Sequence, residues 1–399
     1  MREIPPTAGL PLRWRDFLPH RGSSLKDELA RWLQVDDVQL ACSGTAALIV
    51  TLTALARLSP RRSVVIPAYT CPLVALAIVH CRLKPVLCDL RKDHFDLCSD
   101  TLAKLCGRDT LAIVPTHLGG RVAELEDVTE LAQRVGATVV EDAAQSLGGR
   151  WRGRPVGSIG DVGFYSLAIG KGLTLYEGGV VATRDRHLRG LLADAGGEIT
   201  PYRMSWEIRR LLQLTGYAVL YRPSTLSWVY GARLRRALKK GNLVQAAGDD
   251  FSFDIPLHRV GAWRQAIGSN AIKRLPAFLA DLSAKALPRK ERLTAIPNIA
   301  VMADPDDADG TWPYFMVLMP TERARDAVLS RLWAAGLGVS RLFIHALPDY
   351  SYLAPYLSAP GVPHARDFAA RMLTVSNSPW LSEPEFEHVC TTLETCARA

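Results

Sequence analysis

Short apolar runs alternate with stretches of helical periodicity along the first half of the chain. SVVIP (63–67), KPVLCDL (84–90), LAIVP (111–115), ATVVED (137–142), VGFYSL (162–167) and GGVVAT (178–183) read as strands. Between them, SGTAALIVTLTALARL (43–58) has Ser43 as its N-cap, CPLVALAIVH (71–80) is long and apolar, and AELEDVTELAQRVG (123–136) ends at a glycine; all three read as helices. This alternation predicts an α/β domain with a mostly parallel sheet flanked by helices, with ligands bound at the carboxyl ends of the strands. From about residue 256 the pattern changes. Residues 262–295 read as long helices, WPYFMVLMP (312–320) as a strand, and 322–336 and 383–396 as helices. The expected organisation is a large domain over 1–255 and a smaller α+β domain over 256–399.

The window from about 190 to 250 breaks the rhythm of the large domain. Its centre, WEIRRLLQLTGYAVLYRPSTLSWVYGARLRRALKK (206–240), is helical, aromatic and basic, and Pro223 splits it into two helices. The net charge of the whole chain is +8. Residues 201–240 hold nine Arg or Lys against Glu207, so this one segment carries the excess. A balanced protein with one basic insert implies a local binding surface and argues against a nucleic-acid-binding protein. The apolar run 211–221 is too short for a span of about 20 residues. Two readings stay open: a helical cap on the protein's own dimer, or a hairpin lying in a bilayer interface as a peripheral membrane contact.

No signal-peptide core marks the N-terminus, which predicts a cytoplasmic protein, with association at the inner face of the membrane as the variant that the insert allows. The eight cysteines form no C-x-x-C pair and sit mostly in apolar segments, as reduced structural thiols do. No metal site is expected. Three features fall at the ends of large-domain elements. Gly44 and Thr45 open a helix, whose free N–H groups suit a phosphate. Asp142 ends a strand, where a carboxylate can hold a cationic ring nitrogen. Lys171 lies between glycines in an apolar setting, and burial lowers a lysine's pKa and makes it a nucleophile. Taken singly, each is equally a cap, a structural acid or a turn lysine.

Their order and spacing, however, resemble the DegT/DnrJ/EryC1/StrS family of sugar aminotransferases over about residues 20–395. The resemblance is carried by ACSGTAAL (41–48), VVIPAYTCP (64–72), VPTHLGG (114–120), VVEDAAQSLGG (139–149), GSIGDVGFYS (157–166), GKGLTLYEGG (170–179), HRVGAWRQAIG (258–268) and HALPDY (345–350). It implies a fold-type I enzyme dependent on pyridoxal 5'-phosphate (PLP), acting as a homodimer with shared sites, with glutamate as amino donor and a nucleotide-linked ketosugar as acceptor. It implies Lys171 as the lysine that holds the cofactor as a Schiff base, Asp142 against the pyridine nitrogen, Gln145 on the ring-hydroxyl side, and Gly44, Thr45 and Ser166 around the phosphate. The family's stacking aromatic falls at Cys71, so Tyr69 takes that role in the expectation. Arg259 matches an arginine that reaches the neighbouring subunit, and His345 a histidine near the substrate.

Two departures bear on the substrate. The usual N-x-R reads Leu257-His258-Arg259, which leaves His258 as a substitute for the missing Asn, and Ser146 stands where a histidine is common. These departures keep open a PLP-dependent dehydratase, or an aminotransferase for a cyclitol or lipid-linked ketone. A non-catalytic PLP-binding regulatory or scaffold protein is the alternative of another class, opposed by the retained Lys171, Asp142, Gln145 and Ser166.

Overall fold

The computed structural model describes residues 2–358 and 361–398. Its strands are, in chain order, β1 (Val38–Ala41), β2 (Ser63–Pro67), β3 (Lys84–Cys88), β4 (Thr110–Ile113), β5 (Thr138–Asp142), β6 (Arg150–Trp151), β7 (Arg154–Pro155), β8 (Val162–Ser166), β9 (Gly179–Ala182), β10 (Ala300–Val301), β11 (Ala308–Asp309), β12 (Tyr314–Leu318), β13 (Val339–Ser340) and β14 (Met372–Ser376). Seven of them form the central sheet in the order β1-β9-β8-β5-β4-β2-β3. Only β9 runs against its neighbours; the other six strands are mutually parallel. Nearly every residue of these strands is buried, as expected of a sheet covered on both faces. A second, antiparallel sheet has the order β10-β12-β14-β13. A small sheet of β11, β6 and β7 ties the hairpin after β5 to the C-terminal part of the chain.

The helices follow the apolar periodicity. They are α1 (Leu25–Leu33), α2 (Gly44–Leu58), α3 (Pro72–His80), α4 (Ser99–Leu105), α5 (Glu126–Val135), α6 (Arg186–Ile199), α7 (Met204–Leu220), α8 (Ala232–Lys239), α9 (Leu243–Ala247), α10 (Ala262–Ile272), α11 (Leu275–Thr294), α12 (Glu322–Leu332), α13 (Pro363–Arg371) and α14 (Glu383–Ala397). Ser43 caps α2 by accepting from Ala46 N. Gly136, at φ +67°, stops α5 in the left-handed conformation that glycine adopts without cost. Helix α11 runs through two apolar clusters: Leu275 packs with the central-sheet residues Tyr165 and Val180, and Leu293 with Phe315 and Val375 of the second sheet.

The apolar pattern anticipated six of the central strands. It missed β1 and β14, and also α1, α4 and α13. β1 is a four-residue edge strand and the missed helices are short, whereas β14 is an interior, fully buried strand of five residues that periodicity alone cannot tell from the helical run before it. The insert is two helices, as Pro223 predicts: α7 ends at Leu220, a turn carries Pro223, and one wide π-type turn (Ser227–Gly231) leads into α8.

The N-terminal segment bridges Pro313 and Gly336, on either side of α12, and the turn at Gly172. Ile4 N donates to Gly336 O, Ala8 N to Pro313 O and Leu10 N to Gly172 O. A Cβ at Gly9 would stand 2.7 Å from the Lys171 carbonyl, so only glycine allows this segment to press on the Gly170–Lys171 turn.

Candidate active site

At the carboxyl ends of β5 and β8, a cavity of about 520 Å³ opens beside the N-terminus of α2. It brings together Gly44, Thr45, Cys71, Asp142, Gln145, Ser166 and Lys171, residues spread over more than a hundred positions of sequence.

Asp142 is buried, and its Oδ1 accepts one hydrogen bond, from Ala144 N at 3.1 Å. Burial pushes its pKa up to about 6, against the opposing pull of Lys171 and His117. Lys171 sits in the turn opened by Gly170, at φ +76°. The cavity walls desolvate its ammonium and lower its pKa, while Cys71 and Asp142 act in the other direction. Burial raises the Cys71 thiol to about 12. One deprotonation-prone amine, one buried acid and a neutral thiol therefore share the cavity.

The opposite wall suits an anion. Helix α2 is 15 residues long, and Ser43 satisfies only Ala46 N with its side chain. The Gly44 and Thr45 amides thus lie in the unpaired first turn, where the helix dipole is positive. Ser166 Oγ adjoins them: a Cβ on Gly44 would stand 3.0 Å from Ser166 Cβ. Gln145 is held by its Oε1, which accepts from Gly119 N at 2.8 Å and from the Tyr314 hydroxyl at 2.5 Å. With that oxygen occupied, its amide nitrogen is the group left to donate to a ligand. An anion cradle, a buried acid and a desolvated amine on one cavity are a donor set that fits PLP.

Tyr69 is not available for stacking. It is buried outside the cavity lining, packed edge-on against Phe343 and Phe368, and its hydroxyl donates to Phe343 O at 3.1 Å. The turn after β2 directs Tyr69 into the core and leaves Cys71 on the cavity. His258 is fully buried, stacked on Trp206, with Nε2 3.6 Å from Glu177 Oε2. Its surroundings are interior wall, so in this arrangement it does not reach outward to another subunit. Arg259 is exposed, yet its Nε donates to Thr200 O at 2.8 Å, away from the cavity. His345 lies next to the cavity-lining segment Leu342–Phe343 but not on the lining itself, and burial lowers its pKa.

Sequence reasoning missed the roof of the cavity. The tail of the insert supplies Ala247, Gly248, Asp249 and Phe251 to the lining. Asp249 accepts from Ile344 N and from the Tyr350 hydroxyl, both at 2.7 Å, and burial lifts its pKa to about 6. Glu177 was missed too. It lines the cavity and pairs with Arg210 of α7, which ties the insert to the site. No local pattern marks either residue. His117 has a structural role: Ala123 N donates to its Nδ1, so Nε2–H is the donor to buried Glu141, and Glu141 accepts three backbone amides of the loop 157–160.

The profile of the DegT/DnrJ/EryC1/StrS aminotransferase family matches residues 20–193 and 256–394 and skips the insert. Among curated relatives, the GDP-perosamine synthase of Caulobacter vibrioides is 34% identical over 169 residues, 42% of this chain and 45% of that one. This match therefore spans less than half of the relative's length. The dTDP-3-amino-3,4,6-trideoxy-alpha-D-glucose transaminase of Streptomyces venezuelae is 28% identical over 362 residues, 90% of this chain and 82% of that one. Among solved structures, DesV of S. venezuelae, in complex with a ketimine intermediate, superposes with a TM-score of 0.72 at 25% identity, covering 95% of this chain and 91% of that one. A sugar aminotransferase of Streptococcus pneumoniae, described as putative and solved in its PMP form, shares the fold with a TM-score of 0.76 at 18% identity, covering 99% and 98%.

Proposed function

This chain belongs to the DegT/DnrJ/EryC1/StrS aminotransferase family, and on that premise we propose that it is a PLP-dependent transaminase that moves an amino group from glutamate to the keto group of a nucleotide-linked sugar. The observation that carries the reading is the convergence of Lys171, Asp142 and the Gly44–Thr45–Ser166 cradle on one cavity. When bound, PLP supplies an electron sink for the carbon that gains or loses the amine.

The chain's own residues position that chemistry. Gly44, Thr45 and Ser166 hold the phosphate and fix the ring's distance from Lys171. Asp142 keeps the ring nitrogen protonated, and the low polarity that raises its own pKa strengthens this pairing. Lys171 Nζ, whose burial favours the uncharged amine, accepts the proton from the amine-bearing carbon of the donor. In the second half-reaction it returns one to the former carbonyl carbon of the acceptor. The buried Cys71 stays neutral beside it.

A homodimer completes the reading. Ile169 is exposed at the cavity rim, and Trp14 and Trp263 are exposed as well, a distribution that suits cover by a second copy. Eight unpaired cysteines support a reducing compartment, the cytoplasm. Among the described residues, no helix is long and apolar enough to cross a membrane.

The test is spectroscopic. The purified protein is expected to be yellow with PLP, to bleach with glutamate, and to regain colour when a keto-sugar nucleotide is added. Lys171→Ala should lose the glutamate response. A protein that stays colourless with added PLP would refute the proposal.

A further inference from the structure

The insert leaves a surface that the cavity chemistry does not use. Between α8 and α12 lies an open groove of about 1110 Å³. Five cations line it, Arg235, Arg236, Lys239, Arg325 and Arg341; Arg235 is paired with Glu3 and Arg325 with Glu322 and Asp326, so among the described residues Arg236 and Lys239 are the unpaired exposed charges of the groove. Arg341 and Trp333 are both more than nine-tenths buried, yet Arg341 Nε and Trp333 Nε1 have no hydrogen-bond partner. Burial lowers the Arg341 pKa, and the charge of Arg325 adds to the effect. The Arg341 guanidinium donates through Nη2 to Ile344 O and Ala369 O, so the donors the groove offers to phosphate oxygens are the exposed Arg236 and Lys239.

The rim is apolar. Trp228 is 72% exposed at the groove, and Val229 and Leu243 are also exposed. Helix α7 buries Glu207, Leu214 and Tyr217 on one face. On another it exposes Met204, Ile208, Leu212 and Val219, spaced by four, four and seven residues, so they form one stripe. Arg203 and Arg209 stand exposed on the same helix or at its start. A soluble phosphate compound needs the cations but not the exposed stripe. A second copy would bring basic groove against basic groove. An anionic bilayer surface answers both features, cations to headgroups and Leu and Trp to the acyl boundary.

We propose that the 201–243 insert docks the enzyme on anionic phospholipid, with headgroup phosphates in the α8–α12 groove and the α7 stripe and Trp228 in the interface. The site is independent of the transamination reading.

The experiment is flotation of the full-length protein with vesicles of phosphatidylcholine alone or mixed with phosphatidylglycerol. Wild type should float only with the mixed vesicles, and less at high salt. Each surface cation contributes roughly five-fold in partition, so Arg236→Glu with Lys239→Glu should lower it about 25-fold or more. Leu212→Ser with Trp228→Ser should lower it as well. All four residues are exposed and lie outside the catalytic cavity, so the glutamate response should persist in both variants and report that they are folded. Three results would overturn the proposal. One is no flotation of wild type. Another is displacement by millimolar inorganic phosphate but not by chloride of equal ionic strength, which assigns the groove to a soluble phosphate compound. The last is a smaller assembly on sizing in the variants with vesicle binding unchanged, which assigns the surface to a second copy.

Discussion

Replacing Asp142 by Asn separates two effects that the buried carboxylate combines. Without cofactor, Asp142 must ionise in a site that withholds solvation, which lifts its pKa from 3.8 to about 6. Between those values the folded chain binds the proton more tightly than the unfolded chain, so this group's contribution to stability falls as pH rises from 4 to 6 and stays lost above. A difference of about two pH units corresponds to about 3 kcal/mol at pH 8. The amide carries no charge and can still accept from Ala144 N, so the apo variant should be more stable than apo wild type by up to that amount. With an unfolding entropy of roughly 2.1 cal/mol/K per residue, the gain is about 3–4 °C in melting temperature. The gain should shrink to about 1 kcal/mol at pH 4.5, because the unfolded carboxyl becomes protonated only below its ordinary value of 3.8. Asp249 titrates in the same window, but it is present in both proteins and cancels in the comparison. With PLP bound the order should invert at pH 8, because only the carboxylate pairs with a protonated ring nitrogen. Thermal melts of both proteins at pH 4.5 and 8, with and without PLP, measure this. An apo variant no more stable than wild type at pH 8 would show that Asp142 is solvated or already paired, and the electrostatic reading of the site would fall.

Other consequences follow from packing. Gly44→Val places a side chain against Ser166, whose Cβ is 3.0 Å from the added Cβ, so the phosphate cradle must open; loss of one charge-assisted hydrogen bond, about 1.5–3 kcal/mol, should weaken PLP binding at least about tenfold in a cofactor titration. Glu207 and Arg264 are a buried ion pair beneath α7, with Arg264 Nε 3.1 Å from Glu207 Oε2. Glu207→Ala strands that guanidinium and should cost about 3–5 kcal/mol in urea unfolding, whereas Glu207→Leu combined with Arg264→Met should recover most of the loss.

Gly44, Thr45, Asp142 and Lys171, which line the cavity, were readable because each sits where local sequence changes its rule. Ser43-Gly44-Thr45 caps a helix, Asp142 ends an apolar strand, and Gly170-Lys171-Gly172 turns the chain between β8 and β9. These signals depend on a few adjacent residues, and a parallel sheet gathers such strand ends at one edge. Pro223 likewise fixed the division of the insert, since a missing N–H acts on its own turn. What the tertiary structure alone decided involves contacts between distant segments. Tyr69 turns inward because Phe343 and Phe368, far along the chain, offer it an aromatic pocket. His258 is enclosed by Trp206 and Glu177. Asp249 reaches the cavity roof because Ile344 N and Tyr350 hold it there. Residues 4–10 support the lysine turn from the opposite end of the chain. Periodicity encodes which face of an element is buried; it does not encode which other element covers that face, and these four placements are set by the covering element.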